Sequence, residues 1–194
     1  MPEPRLKNML KRLFVICFLI FLTGCGGNAG VYHDKNMDFG AIHTIAVLPI
    51  QSLQGGGFSG EMVRDDLMNS LLATGALYVI PTGEVAHGIM ASNMQNPATP
   101  TVQEVKAFCK AEKADAVITG VVKEFGAVRE GAASGDNIAV NLQMIEGQTG
   151  RVVWAASTSL GGITFMDRLF GGGAQPMNAI TQKAVNDLIK KLFM

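Results

Sequence analysis

The chain has 194 residues, and its 16 lysines and arginines balance its 16 aspartates and glutamates. This length is typical of one domain, and a composition of 48% hydrophobic and 16% charged residues excludes a chain that is disordered throughout. Zero net charge argues against a nucleic-acid-binding protein, and three cysteines are too few for a disulfide framework or a four-cysteine zinc site.

Residues 1–24 have the organisation of a secretory signal peptide. Ten consecutive apolar residues at 13–22 are too few for a membrane-spanning helix, which needs about 20, but they fit the apolar region of a signal peptide. Four basic residues precede them: Arg5, Lys7, Lys11 and Arg12. Removal of this segment would leave 12 basic and 15 acidic residues, so the remaining chain is mildly acidic.

The apolar run ends in the motif Leu22-Thr23-Gly24-Cys25. This motif resembles the lipobox of bacterial lipoproteins, in which the cysteine thiol receives a diacylglycerol, the signal peptide is cleaved before it, and the new amine receives another acyl chain. The resemblance implies that Cys25 is lipidated and holds the protein on a membrane, since several acyl chains anchor a protein stably. By resemblance to enterobacterial sorting, Gly26 in place of an aspartate favours the outer membrane, with the protein facing the periplasm.

Residues 25–40 are rich in Gly, Asn and Asp and show no hydrophobic periodicity, which predicts a flexible tether. His33 lies in this segment near Asp34 and Asp38, an arrangement that would allow a weak metal contact. Scattered histidines are more often solvated or packed in a core, however. We therefore predict no metal site and no cofactor.

Residues 41–194 predict a single α/β domain that begins with a βαβ unit. An apolar run at 44–49 reads as a buried strand, helical spacing follows at 61–74, and a second short strand is predicted at 77–80. A helix between two strands makes those strands parallel.

The middle of the domain adds two helices and a strand. Helices are predicted at 84–94 and at 101–114, the second starting with a capping box formed by Thr101 and Glu104. The strand at 116–125 is apolar on both faces, which predicts a central place in the sheet.

The end of the domain predicts an antiparallel hairpin and a terminal helix. Apolar and polar residues alternate at 138–144, a turn follows at Gly147–Gly150, and the chain returns at 152–158. Residues 176–193 form an amphipathic helix. The whole domain should hold a mixed sheet of about five strands, packed by three or four helices.

Five stretches in this order carry a resemblance to a known family: Thr44–Pro49, Leu71–Pro81, Ala114–Gly120, Gly147–Trp154 and Ala184-Val185. They resemble the CsgG-type curli-secretion lipoproteins and the related lipoproteins that activate penicillin-binding proteins. The resemblance implies a CsgG-like α/β domain at 41–194 attached to a lipidated cysteine. Curli channels also insert two β-hairpins per subunit to build a pore. The candidate segments here, 125–144 and 157–175, lack two full spanning strands, so we expect the domain without the pore.

Two glycine-rich stretches are further candidates. Residues Gly55–Gly60 fit the pattern G-x-G-x-x-G, which can cradle a pyrophosphate at a helix start. Five residues separate these glycines from Pro49, whereas the dinucleotide fingerprint needs an immediate turn, so we predict a loop and a helix start. The second stretch carries Phe165, Leu169 and Phe170, which either contact a partner, a neighbouring subunit or the bilayer, or fold back over the sheet.

The sequence thus predicts a non-enzymatic outer-membrane lipoprotein that faces the periplasm and binds an envelope protein or assembles with itself. The protein would contact the membrane itself through the acyl chains on Cys25. One alternative is a self-assembling ring or channel subunit of a secretion complex. A further alternative is a nucleotide-binding enzyme that uses Gly55–Gly60. Cys109, in a predicted helix beside Phe108, reads as a buried hydrophobic residue and not as a reactive thiol.

Overall fold

The computed structural model describes residues 30–54, 57–130, 133–162 and 175–194. Its elements in chain order are β1 (Val31–His33), a 3-10 helix (Phe39–Ala41), β2 (Thr44–Val47), β3 (Gln51–Ser52), α1 (Phe58–Thr74), β4 (Tyr78–Val79), α2 (Thr82–Ala91), α3 (Val102–Glu112), β5 (Ala116–Glu130), β6 (Ala133–Glu146), β7 (Val152–Gly161) and α4 (Met177–Leu192).

Seven strands form one mixed sheet in the order β1-β7-β6-β5-β2-β4, with β3 beside β5. The pairs β2–β4, β2–β5 and β3–β5 are parallel, and the pairs β5–β6, β6–β7 and β1–β7 are antiparallel. The predicted mixed α/β domain is therefore confirmed. The five predicted strands are present, and β1 and β3 are additional; they have three and two residues, too few to produce a hydrophobic period.

The parallel half of the sheet is buried on both faces. In β2, Ile45, Ala46 and Val47 have no exposed surface, as expected for a strand covered by helices on both sides. Helix α1 starts so close to the sheet that a side chain at Gly60 would collide with the carbonyl oxygen of Ile50. The helix ends at Gly75, whose φ of +64° forms the left-handed cap.

Two hydrophobic cores lie on opposite faces of the sheet. The larger packs α1 and α4 on one face and includes Trp154 and Leu188. The smaller packs α2 and α3 on the other face and includes Leu48 and Phe108. In the larger core the Trp154 indole Nε1 donates to the carbonyl oxygen of Lys191, 3.1 Å away, which fixes the end of α4 to β7.

Strands β5 and β6 form a longer hairpin than the sequence predicts. Their pairing runs from Ala116 opposite Glu146 to Glu130 opposite Ala133, with a register shift between Val122 and Glu124. The prediction ended the first strand near 125 and began the second at 138. The missed residues are rich in Gly, Ala and Ser and do not alternate, so their strand conformation comes from cross-strand pairing and not from local preference.

The described part of the predicted tether is folded. Val31–His33 pair with β7, with Val31 opposite Ala156 and His33 opposite Trp154. Asp38 then caps the 3-10 helix by accepting from the Gly40 amide, 2.9 Å away. Residues 31–34 of the segment predicted as a flexible tether are thus bonded to β7, whose residues lie about 120 positions further along the chain, where no local pattern could reveal them.

The sites predicted at Leu22, Thr23, Gly24 and Cys25, and at Phe165, Leu169 and Phe170, lie outside the described residues. Among the helices of the described ranges, none combines the length and the apolar character needed to cross a membrane.

Candidate functional site

A cleft of about 810 Å³ opens at the end of the domain where β2 and β4 begin and α4 ends. This volume is within the usual range for ligand-binding clefts, roughly 300–1,000 Å³. We call it the end cleft. Its walls come from three separate parts of the chain: the segment 33–43 after β1, the connection between α1 and β4, and the residues at and after the end of α4.

The floor of the end cleft is apolar. A small inner cavity of about 70 Å³ is lined by Phe39, Ile42, Leu77, Met144, Leu192 and Phe193. Ile42 and Met144 belong to the buried core, whereas Phe193 is 50% exposed at the mouth. An apolar side chain placed here would gain contact with the core without a change in the fold.

The rim of the end cleft is polar. Lys35 and His43 are exposed, and the His43 ring nitrogen Nδ1 lies 3.0 Å from the carbonyl oxygen of Ala41. His33 lies deeper; its Nε2 is buried and has no hydrogen-bond partner among the described residues. The His33 ring packs edge-to-face against Phe39, with the ring centroids 5.5 Å apart.

The buried acid of the rim is already paired. Asp34 is 7% exposed; it accepts from the Asn36 amide at 3.0 Å and pairs with the Arg151 guanidinium at 3.1 Å. Arg151 therefore neutralises Asp34, and the exposed ammonium of Lys35 adds a positive charge to this wall. The cleft therefore combines an apolar floor with a polar rim on which Lys35 is an exposed cation.

At the opposite end of the domain, the β5–β6 hairpin projects past the rest of the sheet. Strand β2 pairs with β5 up to Ile118, and β3 pairs with Val121 and Val122. Beyond Val122, no described strand pairs with the outer edge of β5. We call residues 124–130 and 133–139 the hairpin arm. Unpaired backbone groups along such an edge are suited to binding another chain.

In the candidate G-x-G-x-x-G segment, the described residues have structural roles. Gly60 is needed because α1 touches the carbonyl of Ile50. The Ser59 hydroxyl is buried and donates to the carbonyl of Gln54. Arg64, 7% exposed, donates from Nε to the carbonyl oxygen of Val47 at 3.1 Å. These groups bind the protein's own backbone; Gly55 and Gly56 lie outside the described residues.

Cys109 is a structural residue. Burial, and to a smaller extent the nearby Asp115 carboxylate, raises the pKa of its thiol to about 12. A thiol of that pKa is a poor nucleophile at neutral pH. Gly147 packs so closely that a side chain there would meet the Cys109 Cβ at 2.6 Å. The prediction that Cys109 is buried is confirmed.

No metal cluster is found in the part of the chain that the structure describes: no three His, Cys, Asp or Glu side chains come together there. His87 instead pairs with Glu112, with 2.9 Å between Nδ1 and Oε1.

No protein-family model matches the chain, and no curated protein matches it in sequence. Solved structures do match it. A point variant of the PelC dodecamer from Paraburkholderia phytofirmans is similar over 84% of this chain and 97% of that chain, with a TM-score of 0.58 and 16% identity. Lipoprotein GNA1162 from Neisseria meningitidis is similar over 76% and 98%, with a TM-score of 0.50 and 18% identity.

The C-terminal domain of LpoB from Escherichia coli is more distant, with a TM-score of 0.47 and 12% identity over 74% of this chain and 92% of that chain. The first two matches establish a shared fold, and one of them is a lipoprotein. Membership of the CsgG-type family stays a prediction from the sequence.

Proposed function

We propose that this chain is a lipid-anchored, non-enzymatic protein of the cell envelope that binds a partner protein through the end cleft. The observation that carries the proposal is the motif Leu22-Thr23-Gly24-Cys25 directly after a basic and apolar leader. It supplies an anchor whose chemistry depends on one residue, Cys25. The shared fold with lipoprotein GNA1162 supports this reading.

The anchor is proposed to lie in the outer membrane, with the domain in the periplasm, because Gly26 follows the lipidated cysteine. The partner is proposed to be a protein segment that carries an apolar side chain beside an acidic group. The apolar side chain would enter the inner cavity next to Phe39 and Leu77, and the acid would face Lys35. Asp34 would not repel that acid, since its own charge is balanced by Arg151.

Substitution of Cys25 tests the anchor. Cys25→Ala should leave the domain folded but move it from the detergent-soluble membrane fraction to the soluble periplasmic fraction, because the acyl chains are lost. Cys109→Ala is the matched control and should stay in the membrane. If Cys25→Ala protein that has lost residues 1–24 is still held in the membranes after a salt wash, lipidation at Cys25 is not what anchors the chain.

A photo-crosslinking pair tests the end cleft. Phe193 and Phe58 are both exposed phenylalanines, at 50% and 71%, but Phe58 lies at the start of α1, away from the cleft. A benzophenone amino acid at Phe193 should give one discrete crosslinked band in cells, and the same group at Phe58 should not. Equal crosslinking at both positions would contradict a binding role for the cleft.

A self-assembling ring subunit is the second candidate function. It is favoured by the shared fold with the PelC dodecamer and by the unpaired edge of β5 in the described part of the sheet. The native mass in mild detergent separates the two candidates. A ring of many copies would favour self-assembly, and a monomer or dimer would favour the anchored binding protein.

A further inference from the structure

A row of paired residues crosses the sheet from Gly30, the first described residue, to Val121 on β5. The Ser157 amide donates to the carbonyl oxygen of Gly30, 3.1 Å away. Ser157 is paired with Asn141, and Asn141 is paired with Val121. Gly30 therefore lies level with Val121 along the direction of the strands.

The hairpin arm extends well past this row along the direction of the strands. Glu130 lies nine residues beyond Val121 on β5, which is about 30 Å at the usual rise of a strand, roughly 3.3 Å per residue. Strand β7 pairs with the arm as far as Gly161, opposite Asn137, and the Gly162 amide then donates to the Asp136 carbonyl oxygen. Residues 127–130 and 133–135, the last part of the arm, extend beyond the described residues that continue β7.

The connection from Gly30 to the proposed anchor is shorter than the arm. Cys25 lies five residues before Gly30, so the two can be at most about 18 Å apart, whatever the conformation of the residues between them. Strand β1 runs antiparallel to β7, and β7 runs from the end cleft towards the arm. The start of β1 consequently faces the arm end.

We propose that the tip of the hairpin arm rests in the headgroup layer of the bilayer that holds Cys25. The inference rests on the proposed lipidation of Cys25. When the strands stand along the membrane normal with the arm towards the bilayer, a row held within about 18 Å of the anchored residue brings the end of an arm of about 30 Å to the lipid. Arg129 is exposed near this tip and can pair with lipid phosphate, although Glu130 and Asp136 give the same part of the sequence a small negative net charge. The end cleft then faces away from the membrane.

Tryptophan at one of two exposed alanines tests the proposal. Ala127 is on the arm, and Ala73 is near the end of α1, at the opposite end of the domain. The lipidated full-length mature protein is placed on vesicles of phosphatidylethanolamine and phosphatidylglycerol that contain brominated acyl chains. The parent's emission comes from Trp154, which is buried, and is subtracted. The indole of Ala127→Trp should lose about half of its added emission, because side chains at the boundary of headgroups and acyl chains lie about 5–10 Å into the lipid.

The indole of Ala73→Trp should keep its emission in the same vesicles. Equal quenching of the two variants, or quenching of neither, in protein that floats with the vesicles would overturn the proposal and leave the lipid anchor intact. Protein that carries no acyl chains by mass and does not float would overturn both the anchor and the inference drawn from it.

Discussion

The end cleft and the hairpin arm are held by different kinds of interaction. Around the cleft, side chains from distant parts of the chain are locked together: Trp154 is 1% exposed and bonded to the end of α4, and Asp34 is buried against Arg151. The outer part of the arm, beyond Phe125 and Ile138 of the larger core, is held by the backbone pairing of β5 with β6. Side-chain packing thus fixes the shape of the cleft, whereas the cross-strand hydrogen bonds hold the projecting residues.

The largest effect is expected for Trp154→Ala. Removing this fully buried indole should lower the free energy of unfolding by about 3–5 kcal/mol, through lost burial and the cavity that remains. Urea unfolding measures the change. Val128→Ala, at a half-buried position on the arm, is the comparison and should cost less than about 1 kcal/mol. Similar losses of unfolding free energy for both variants would contradict the difference between the packed cleft end and the projecting arm.

Asp34→Ala should have an intermediate effect, confined to the wall of the cleft. It removes the acceptor of the Asn36 amide and the partner of Arg151, and hydrogen bonds to charged groups contribute about 1.5–3 kcal/mol. The readout is hydrogen exchange, which should speed up at residues 31–36. Asp38→Ala removes an exposed cap and is the control; it should affect only the Gly40 amide. Unchanged exchange at Asn36 would contradict this role of Asp34.

Shortening the arm should have a small effect on stability. Residues 128–135 can be replaced by an Asn-Gly turn between the paired Ala127 and Asp136, which suits a two-residue hairpin connection. Phe125, which packs against the larger core, and the Asp136 carbonyl oxygen, which accepts from the Gly162 amide, are kept. The free energy of unfolding should change by less than about 1 kcal/mol, because the described residues that are removed lie outside both hydrophobic cores. A loss of several kcal/mol in urea unfolding would show that the arm supports the core.

The smallest expected effect concerns Cys109, on the buried face of α3. Because burial raises the pKa of the thiol to about 12, the reactive thiolate is scarce in the folded protein at pH 8. Iodoacetamide should label Cys109 slowly in the native protein and rapidly in urea, as followed by mass spectrometry. The thiol should become reactive only as the pH approaches about 12. Fast labelling of the folded protein at pH 8 would contradict the buried environment.

The elements that sequence could predict are those with a local signal. The buried run that contains Ile45 and the capping box of Thr101 with Glu104 both occur as predicted. The arm and β1 could not be predicted in this way, because their strand conformation depends on pairing with distant residues and their composition is typical of loops.

The end cleft could not be predicted from sequence patterns either. Phe39, Leu77 and Phe193 meet there from three separated parts of the chain, so no spacing motif connects them. The only local signal was the pair of large apolar residues Phe39 and Ile42 directly after a polar, glycine-containing stretch. Cys25, in contrast, is predicted from a sequence motif and lies outside the described residues.

The intact mass of the chain purified from membranes shows whether Cys25 is the lipidated N-terminus. We expect a chain that begins at Cys25 and is heavier than its amino-acid sequence by a diacylglycerol and one further acyl chain, with the added mass located on the N-terminal peptide. A chain that retains residues 1–24, or that begins at Cys25 with no added mass, would rule out lipidation at this residue.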